Sequence, residues 1–162
     1  MNTYIVELTK NDIFLSTEII RNSFKTVADE FGLTKENCPT NGAFLEDGKL
    51  MDDYNRGIKM FGFFENTKQV GFMALERNDI NAFYLEKLAV SPDYRHKGYG
   101  RMLMDYAKDY IKKANGNNIS IGVIYENKKL LKWYEAYGFF ITGTKQFSHL
   151  PFVVCFMRLD LC

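Results

Sequence analysis

Cysteine is scarce in this chain and makes no pattern: Cys38, Cys155 and Cys162 are odd in number and widely spaced, with no C-x-x-C pair. That excludes a disulfide framework and a cysteine-based zinc site, and it fits a reducing compartment. An excess of one charge is lacking too. Lys and Arg number 21 against 20 Asp and Glu, a formal net charge of +1, so the basic surplus that binding to a phosphate backbone calls for is absent and nucleic acid is not an expected partner. No stretch of membrane-spanning length is free of charge, and Met1-Asn2-Thr3-Tyr4 does not begin a basic segment followed by an apolar run. The expectation is a cytoplasmic protein with no membrane partner. Repeats, low-complexity tracts and linkers are missing as well. Residues 1–162 are therefore read as a single domain, long enough to bury a core without disulfides or metal.

What is present is an ordinary globular composition, 46% hydrophobic and 15% aromatic, which suggests a well-filled interior. Tyr4 to Leu8 alternates like a short strand, and Thr9 with Asp12 resembles a capping box for a helix carrying Ile13, Ile20, Phe24 and Val27 on one face. The stretch from Phe31 to Gly48 has no period and reads as a loop, leading to a short helix near Lys49 to Arg56. Ile58 to Glu65 and Val70 to Glu76 have strand character and are joined by Asn66 to Gln69, with a third strand from Ala82 to Val90 completing a meander. From Gly98 the period becomes helical, with Leu103, Tyr106, Ala107, Tyr110, Ile111 and Ala114 opposite a charged side, ending at Asn115-Gly116. A buried strand from Ile119 to Tyr125, a helix from Asn127 to Tyr137 closed by Gly138, and a strand pair, Phe139 to Thr144 and Phe152 to Leu159, finish the chain. The fold class expected is α/β (α+β), a mixed sheet of six to seven strands flanked by about four helices.

The segment richest in chemistry is Leu88-Ala89-Val90-Ser91-Pro92-Asp93-Tyr94-Arg95-His96-Lys97-Gly98-Tyr99-Gly100, a strand end, a turn and a glycine-spaced helix start. The first amides of a helix have no partner within it and carry partial positive charge, so they can hold a pyrophosphate. Gly98 and Gly100 remove side chains that would keep an anion away, and Arg95, His96 and Lys97 offer donors at the rim. The third glycine of a dinucleotide fingerprint and the G-K-[ST] of a P-loop are both missing.

Arg95 to Gly100, preceded by Leu88-Ala89-Val90-Ser91-Pro92, resembles the R/Q-x-x-G-x-G/A signature of the GNAT N-acetyltransferases. Asn127 through Trp133-Tyr134-Glu135-Ala136-Tyr137-Gly138-Phe139 is similar to a second segment of that family. The resemblance implies a mainly antiparallel sheet with a V-shaped splay between the fourth and fifth strands, and acetyl-CoA as co-substrate with no metal. It implies that amides from His96 through Arg101, with Gly98, Tyr99 and Gly100 between, hold the pyrophosphate, that Leu88, Ala89 and Val90 pair with the pantetheine arm, and that Asn127 touches it. The amide of Ala89 or Val90 becomes a candidate oxyanion donor.

Exposing the lone pair of an alkyl ammonium at pH 7 costs about 4.6 kcal/mol, and carrying an unprotonated thiolate about 2 kcal/mol. Base assistance therefore matters more than acid assistance. Glu86 is the candidate base, acting through water, because strand alternation sets it on one face with Leu88 and Val90; a solvated carboxylate paired with a neighbouring cation is the alternative. Tyr134 matches the family tyrosine that protonates the departing sulfur, and an amphipathic core tyrosine is its alternative. His96 reads as a solvated rim residue, His149 has no motif, and Cys38 reads as a loop cysteine. The expected reaction is direct acetyl transfer in a ternary complex to a primary amine of a small molecule or peptide, against the alternative of a non-catalytic acyl-CoA-binding module. Acceptor choice falls to Phe31 to Arg56 and Lys145 to Pro151, and a homodimer is left open.

Overall fold

The computed structural model describes residues 1–161. The chain runs β1 (Thr3–Glu7), α1 (Ile13–Glu30), α2 (Lys49–Asn55), β2 (Lys59–Glu65), β3 (Lys68–Arg77), β4 (Ala82–Val90), α3 (Tyr99–Lys113), β5 (Asn118–Ile124), α4 (Lys128–Tyr137), β6 (Phe140–Gln146) and β7 (Val153–Asp160). Seven strands form one sheet in the order β1-β2-β3-β4-β5-β7-β6. Every neighbouring pair is antiparallel except β4 and β5, which are parallel. The expected mixed, mainly antiparallel sheet with four helices is therefore what forms.

Local chemistry accounts for the element ends. The Thr9 amide donates to Asp12 Oδ2 at 2.9 Å, closing the capping box ahead of α1. The β2–β3 connection is tighter than the expected Asn66 to Gln69: Lys68 and Gln69 already belong to β3, and Asn66 turns the chain with φ 58°. An Asn that tolerates the left-handed region makes so short a hairpin turn feasible. Asn41 accepts from the Ala43 amide at 2.9 Å and puts a single 3-10 turn into the loop before α2.

Helices cover both faces of the sheet. On one face α3 and α4 bury Leu103, Met104, Ala107, Ile111, Leu131 and Tyr134 against Phe61, Phe63, Ile119 and Met157 of the strands. On the other, α1 and α2 bury Ile13, Ile20 and Leu50 against Met60, Phe72, Ala74 and Ala89. Burying a side chain the size of Phe or Leu stabilises by about 1.5–3 kcal/mol, so each face is a substantial core. A third, smaller cluster joins the end of α1 to the Phe31 to Arg56 and Lys145 to Pro151 segments: Ala28, Leu33 and Cys38 pack with Phe44, Ile124 and Leu150. Among the described residues no helix is long and apolar enough to cross a membrane.

The feature that makes room for a ligand is the brevity of the parallel pairing. Ala82, Phe83 and Tyr84 of β4 lie opposite Asn118, Ile119 and Ser120 of β5, and there the ladder ends. From Leu85 to Val90 the two strands diverge, which is the expected splay between the fourth and fifth strands.

Candidate active site

The splayed part of β4 carries a bulge. Phe72 pairs with Ala89 and Ala74 with Glu86, so Lys87 and Leu88 together oppose Met73, and Lys87 adopts φ 52°. An extra residue breaks the two-residue period of a strand and moves the residues beyond it to the other face. Glu86 shares the α1/α2 face with its partner Ala74, whereas Leu88 and Val90 pack with the α3/α4 core. This corrects the expectation from alternation, which placed Glu86, Leu88 and Val90 on one face. Ala89, buried, returns to the α1/α2 side.

Beyond β4 the chain makes a 3-10 turn at Pro92–Tyr94 and reaches α3 through two left-handed residues, His96 with φ 65° and Gly98 with φ 84°. The Met102 amide is the one that bonds back to the Gly98 carbonyl, at 3.1 Å, leaving the amides of Tyr99, Gly100 and Arg101 ahead of the helical ladder. Nothing lies within 4 Å of a Cβ built on Gly98, and one built on Gly100 would meet Trp133 at 3.5 Å. Gly98 thus answers a backbone demand, and Gly100 keeps space open beside an indole.

Most of the long side chains around this helix start are engaged elsewhere. The Arg95 guanidinium donates to the Ser23 carbonyl at 2.8 Å, Thr26 Oγ1 at 2.9 Å and the Val90 carbonyl at 3.2 Å, and burial lowers its pKa. It ties α1 to the end of β4, so the rim donor expected of it is spent on the fold. Lys97 Nζ lies 3.6 Å from Glu65 Oε2. Tyr99 is buried, stacks on Phe63 with centroids 4.3 Å apart and donates its hydroxyl to Glu65, whose hydrogen bond, with burial, pushes the phenol up to about 12. Its backbone faces the helix start; its ring belongs to the core. His96 is exposed, and exposed Arg101 lies over the Tyr137 ring at 5.4 Å.

Asn127 caps α4, its Oδ1 accepting from the Leu130 amide at 3.3 Å, and it is buried. The cap uses the oxygen and leaves the amide nitrogen for another partner. Tyr134 is buried on the α3/α4 side against Trp133 and Phe139, with centroids 5.0 and 5.3 Å away, and burial pushes its phenol up. A raised phenol stays protonated at neutral pH, which is the form that can give a proton.

Glu86 sits across the sheet among charges that the sequence does not bring together. Burial first, then a hydrogen bond shared with Glu76 and the charges of Glu76 and Asp53, raise its pKa to about 7 against the pull of Lys87. Asp53, on α2, is 3% exposed. It lies 2.9 Å from Lys49 Nζ, 2.9 Å from Arg56 Nη2 and 3.8 Å from Lys87 Nζ. Burial alone would raise the Asp53 carboxyl, yet the bonds from Lys49 and Arg56 and the charge of Lys87 hold it below the usual range. Lys87 thus anchors the bulge to α2. Glu76 and Asp53 escaped sequence reasoning; the Lys49, Asp53, Arg56 spacing of four and three was a readable sign of an ion cluster on one helix face.

The cleft at the mouth of the splay has a volume of about 270 Å³ and is lined by Tyr84, Leu85 and Glu86 of β4, Ser120, Ile121 and Gly122 of β5, and Phe156 of β7. Tyr84 and Phe156 were not singled out by any motif. Cys38 and Cys155 are buried, and Cys162 lies outside the described residues. His149 is exposed beside Phe147, ring centroids 5.6 Å apart. Among the described residues no three His, Cys, Asp or Glu side chains are grouped to hold a metal ion.

Residues 27–139 match the acetyltransferase (GNAT) family model. An uncharacterized N-acetyltransferase of Methanocaldococcus jannaschii is 34% identical over 87 residues, covering 48% of this chain and 38% of that protein, so the chain spans well under half of this relative. A second, from the pepI 3′ region of Lactobacillus delbrueckii subsp. lactis, is 26% identical over 163 residues, covering 93% of this chain and 88% of the relative. Among solved structures, the ribosomal-protein-S18-alanine N-acetyltransferase of Escherichia coli superposes with a TM-score of 0.77 at 20% identity over 99% of this chain and 94% of that one. The PaiA N-acetyltransferase of Thermoplasma acidophilum, solved with coenzyme A, gives 0.75 at 22% identity over 99% of both chains. The match over residues 27–139 takes in the glycine-spaced helix start and the Asn127 to Phe139 segment alike, and on that ground the chain belongs to the GNAT acetyltransferase family.

Proposed function

We propose that residues 1–162 form one N-acetyltransferase domain that passes the acetyl group of acetyl-CoA directly to a primary amine of a small molecule or peptide. The amides of Gly98 to Arg101, with His96 at the rim, hold the pyrophosphate. The pantetheine arm lies in the splay along Leu88 to Val90, where β4 no longer pairs with β5, with the Asn127 amide nitrogen as a further donor. The thioester carbonyl accepts from the amide of Ala89 or Val90, which stabilises the oxyanion as it forms. The amine lone pair then attacks the carbonyl carbon, the C–N bond forms and the C–S bond breaks. The surplus amine proton leaves through water to Glu86, and the thiolate takes a proton from Tyr134.

The observation that supports this reading is the placement of Glu86 on the α1/α2 side of the sheet and of Tyr134 on the α3/α4 side, one on each flank of the splay. Positioning of thioester and amine supplies much of the rate. A cytoplasmic setting suits the buried, unpaired Cys38 and Cys155. The test is a coenzyme A release assay over a panel of amines and peptides, together with thermal melting. A ligand bound to the folded state alone adds about 2.7 kcal/mol at a hundredfold excess over its Kd, so acetyl-CoA raises the Tm and NADH and ATP do not. No shift with acetyl-CoA overturns the reading; a shift with no release for any acceptor leaves a non-catalytic acyl-CoA-binding module.

A further inference from the structure

With acetyl-CoA filling the splay, the cleft on the α1/α2 side is the space left for an acceptor. Its walls are two aromatic rings, and its floor is made of small residues. Tyr84 pairs with Ser120, and Gly122 with Phe156, so Tyr84, Ser120, Gly122 and Phe156 share one sheet face with Glu86. Tyr84 is 40% and Phe156 37% exposed, unusual for rings in mid-sheet. β5 separates their strands. Two strand spacings, roughly 10 Å, and a two-residue offset along β5, roughly 7 Å, set them roughly 12 Å apart on the diagonal, and aromatic pairs favour centroids about 4.5–7 Å apart, so one further ring fits between the two with contact on both sides. A cavity of about 150 Å³ accepts benzene. The 270 Å³ available here takes a ring and a short alkyl arm.

Charge sets the orientation. Glu86, with Glu76 behind it, stands at the splay end of the cleft, where an ammonium would meet it. The cations nearby are committed: Lys87 to Asp53 at 3.8 Å, and Arg158, which faces Ser120 across the ladder, to Asp160 at 2.9 Å while lying over the Phe140 ring at 5.1 Å. Lys145 lies over the Phe147 ring at 4.7 Å, at the outer wall, while at the splay end an acceptor carboxylate would meet the like charges of Glu86 and Glu76. Phe147 packs edge-on against Phe156 with centroids 6.2 Å apart, which brings the loop between β6 and β7 to the outer wall.

We propose that the acceptor is an arylalkylamine, its ring held between Tyr84 and Phe156 over Ser120 and Gly122 and its amine directed at Glu86. The inference rests on the acetyltransferase reading of the splay.

Calorimetry of the full chain saturated with coenzyme A separates the two. With coenzyme A bound, 2-phenylethylamine binds at least tenfold tighter than n-hexylamine, an amine of similar basicity, and at least tenfold tighter than spermidine, while 3-phenylpropionate does not bind. Phe156→Ala brings the ratio of the two amines below threefold. Gly122→Val, whose Cβ would make ordinary contacts with Val154 at 3.4 Å and Phe156 at 3.8 Å, weakens 2-phenylethylamine at least tenfold with coenzyme A binding retained. Absence of 2-phenylethylamine binding, equal affinity for n-hexylamine, or a preference that survives both variants overturns the proposal. Failure of coenzyme A itself to bind overturns the acetyltransferase reading instead.

Discussion

Glu86 and Leu88, two residues apart on one strand, face opposite sides of the sheet, because Lys87 occupies a bulge between them. The carboxylate therefore looks toward α2 while the strand beyond it lines the splay. With its pKa near 7, Glu86 is an available base above neutrality and a spent one below. The expected outcome for Glu86→Gln is a fall in turnover of about 10²-fold or more between pH 7 and the acceptor's own pKa, shrinking at both ends of that window. Tyr134→Phe costs less, with a weaker dependence on pH. A pH profile of kcat for both variants with one acceptor is the measurement, and a flat Glu86→Gln deficit returns Glu86 to a surface role.

The same residue makes a prediction about stability. A carboxyl whose folded pKa is raised favours the folded state below its unfolded pKa and loses that advantage as pH rises through the folded value. The neutral Glu86→Gln variant therefore matches the parent near pH 4.5 and gains on it up to about pH 7 and beyond. Thermal melts at pH 5 and pH 8 check this: the gap in Tm widens at pH 8 in favour of the variant.

Asp53 has the opposite sign. Its carboxyl is held low by Lys49, Arg56 and Lys87, so its contribution is present above the ordinary Asp pKa and is lost as pH falls through the folded value. Asp53→Asn lowers stability at pH 7 by about 1.5–3 kcal/mol, the range for hydrogen bonds to charged groups, and by less at pH 3. Urea unfolding at the two pH values tests it.

Gly98 and Gly100 respond differently to alanine. At Gly98, with φ 84°, a Cβ costs about 1–2 kcal/mol of backbone strain. At Gly100 alanine fits beside Trp133 and raises helix propensity by about 1 kcal/mol. Gly100→Ala thus keeps or raises the Tm of the free protein while weakening acetyl-CoA, whereas Gly98→Ala lowers both. Melting with and without acetyl-CoA separates the outcomes.

Arg95→Ala removes the tie between α1 and β4. Four charge-assisted bonds to Ser23, Thr26 and Val90 are lost, and stability falls by about 2–3 kcal/mol. Arg95→Lys restores little, since an ammonium cannot span the same acceptors in a fork. If acetyl-CoA affinity collapses while the unfolding midpoint holds, the guanidinium serves the cofactor instead.

Local signals were legible in the sequence: the capping box at Thr9 and Asp12, the switch to a helical period at Gly98, the Gly98-x-Gly100 spacing and the C-terminal cap at Gly138. Each depends on residues within a turn or two of one another. Features that depend on pairing between distant segments were not. The bulge appears once Phe72 and Ala74 are seen to grip Ala89 and Glu86. Glu76 joins Glu86 only through strand register, Arg95 reaches back to Ser23 and Thr26 across some seventy residues of chain, and Phe156 comes to line the same cleft as Tyr84 only because β7 inserts between β5 and β6.

The bulge at Lys87 acts as a phase shift written into β4. Upstream of it, parity assigns Phe83 and Leu85 to the core and Tyr84 and Glu86 to the cleft; downstream the assignment is reset. A substitution in this strand alters one contact, but losing or gaining one residue would exchange the two sides wholesale, burying a carboxylate where a leucine packs. Over evolutionary time β4 should therefore tolerate exchange of letters far better than any change of length, while Lys145 to Pro151, with no phase to keep, is free to grow or shrink as acceptors change.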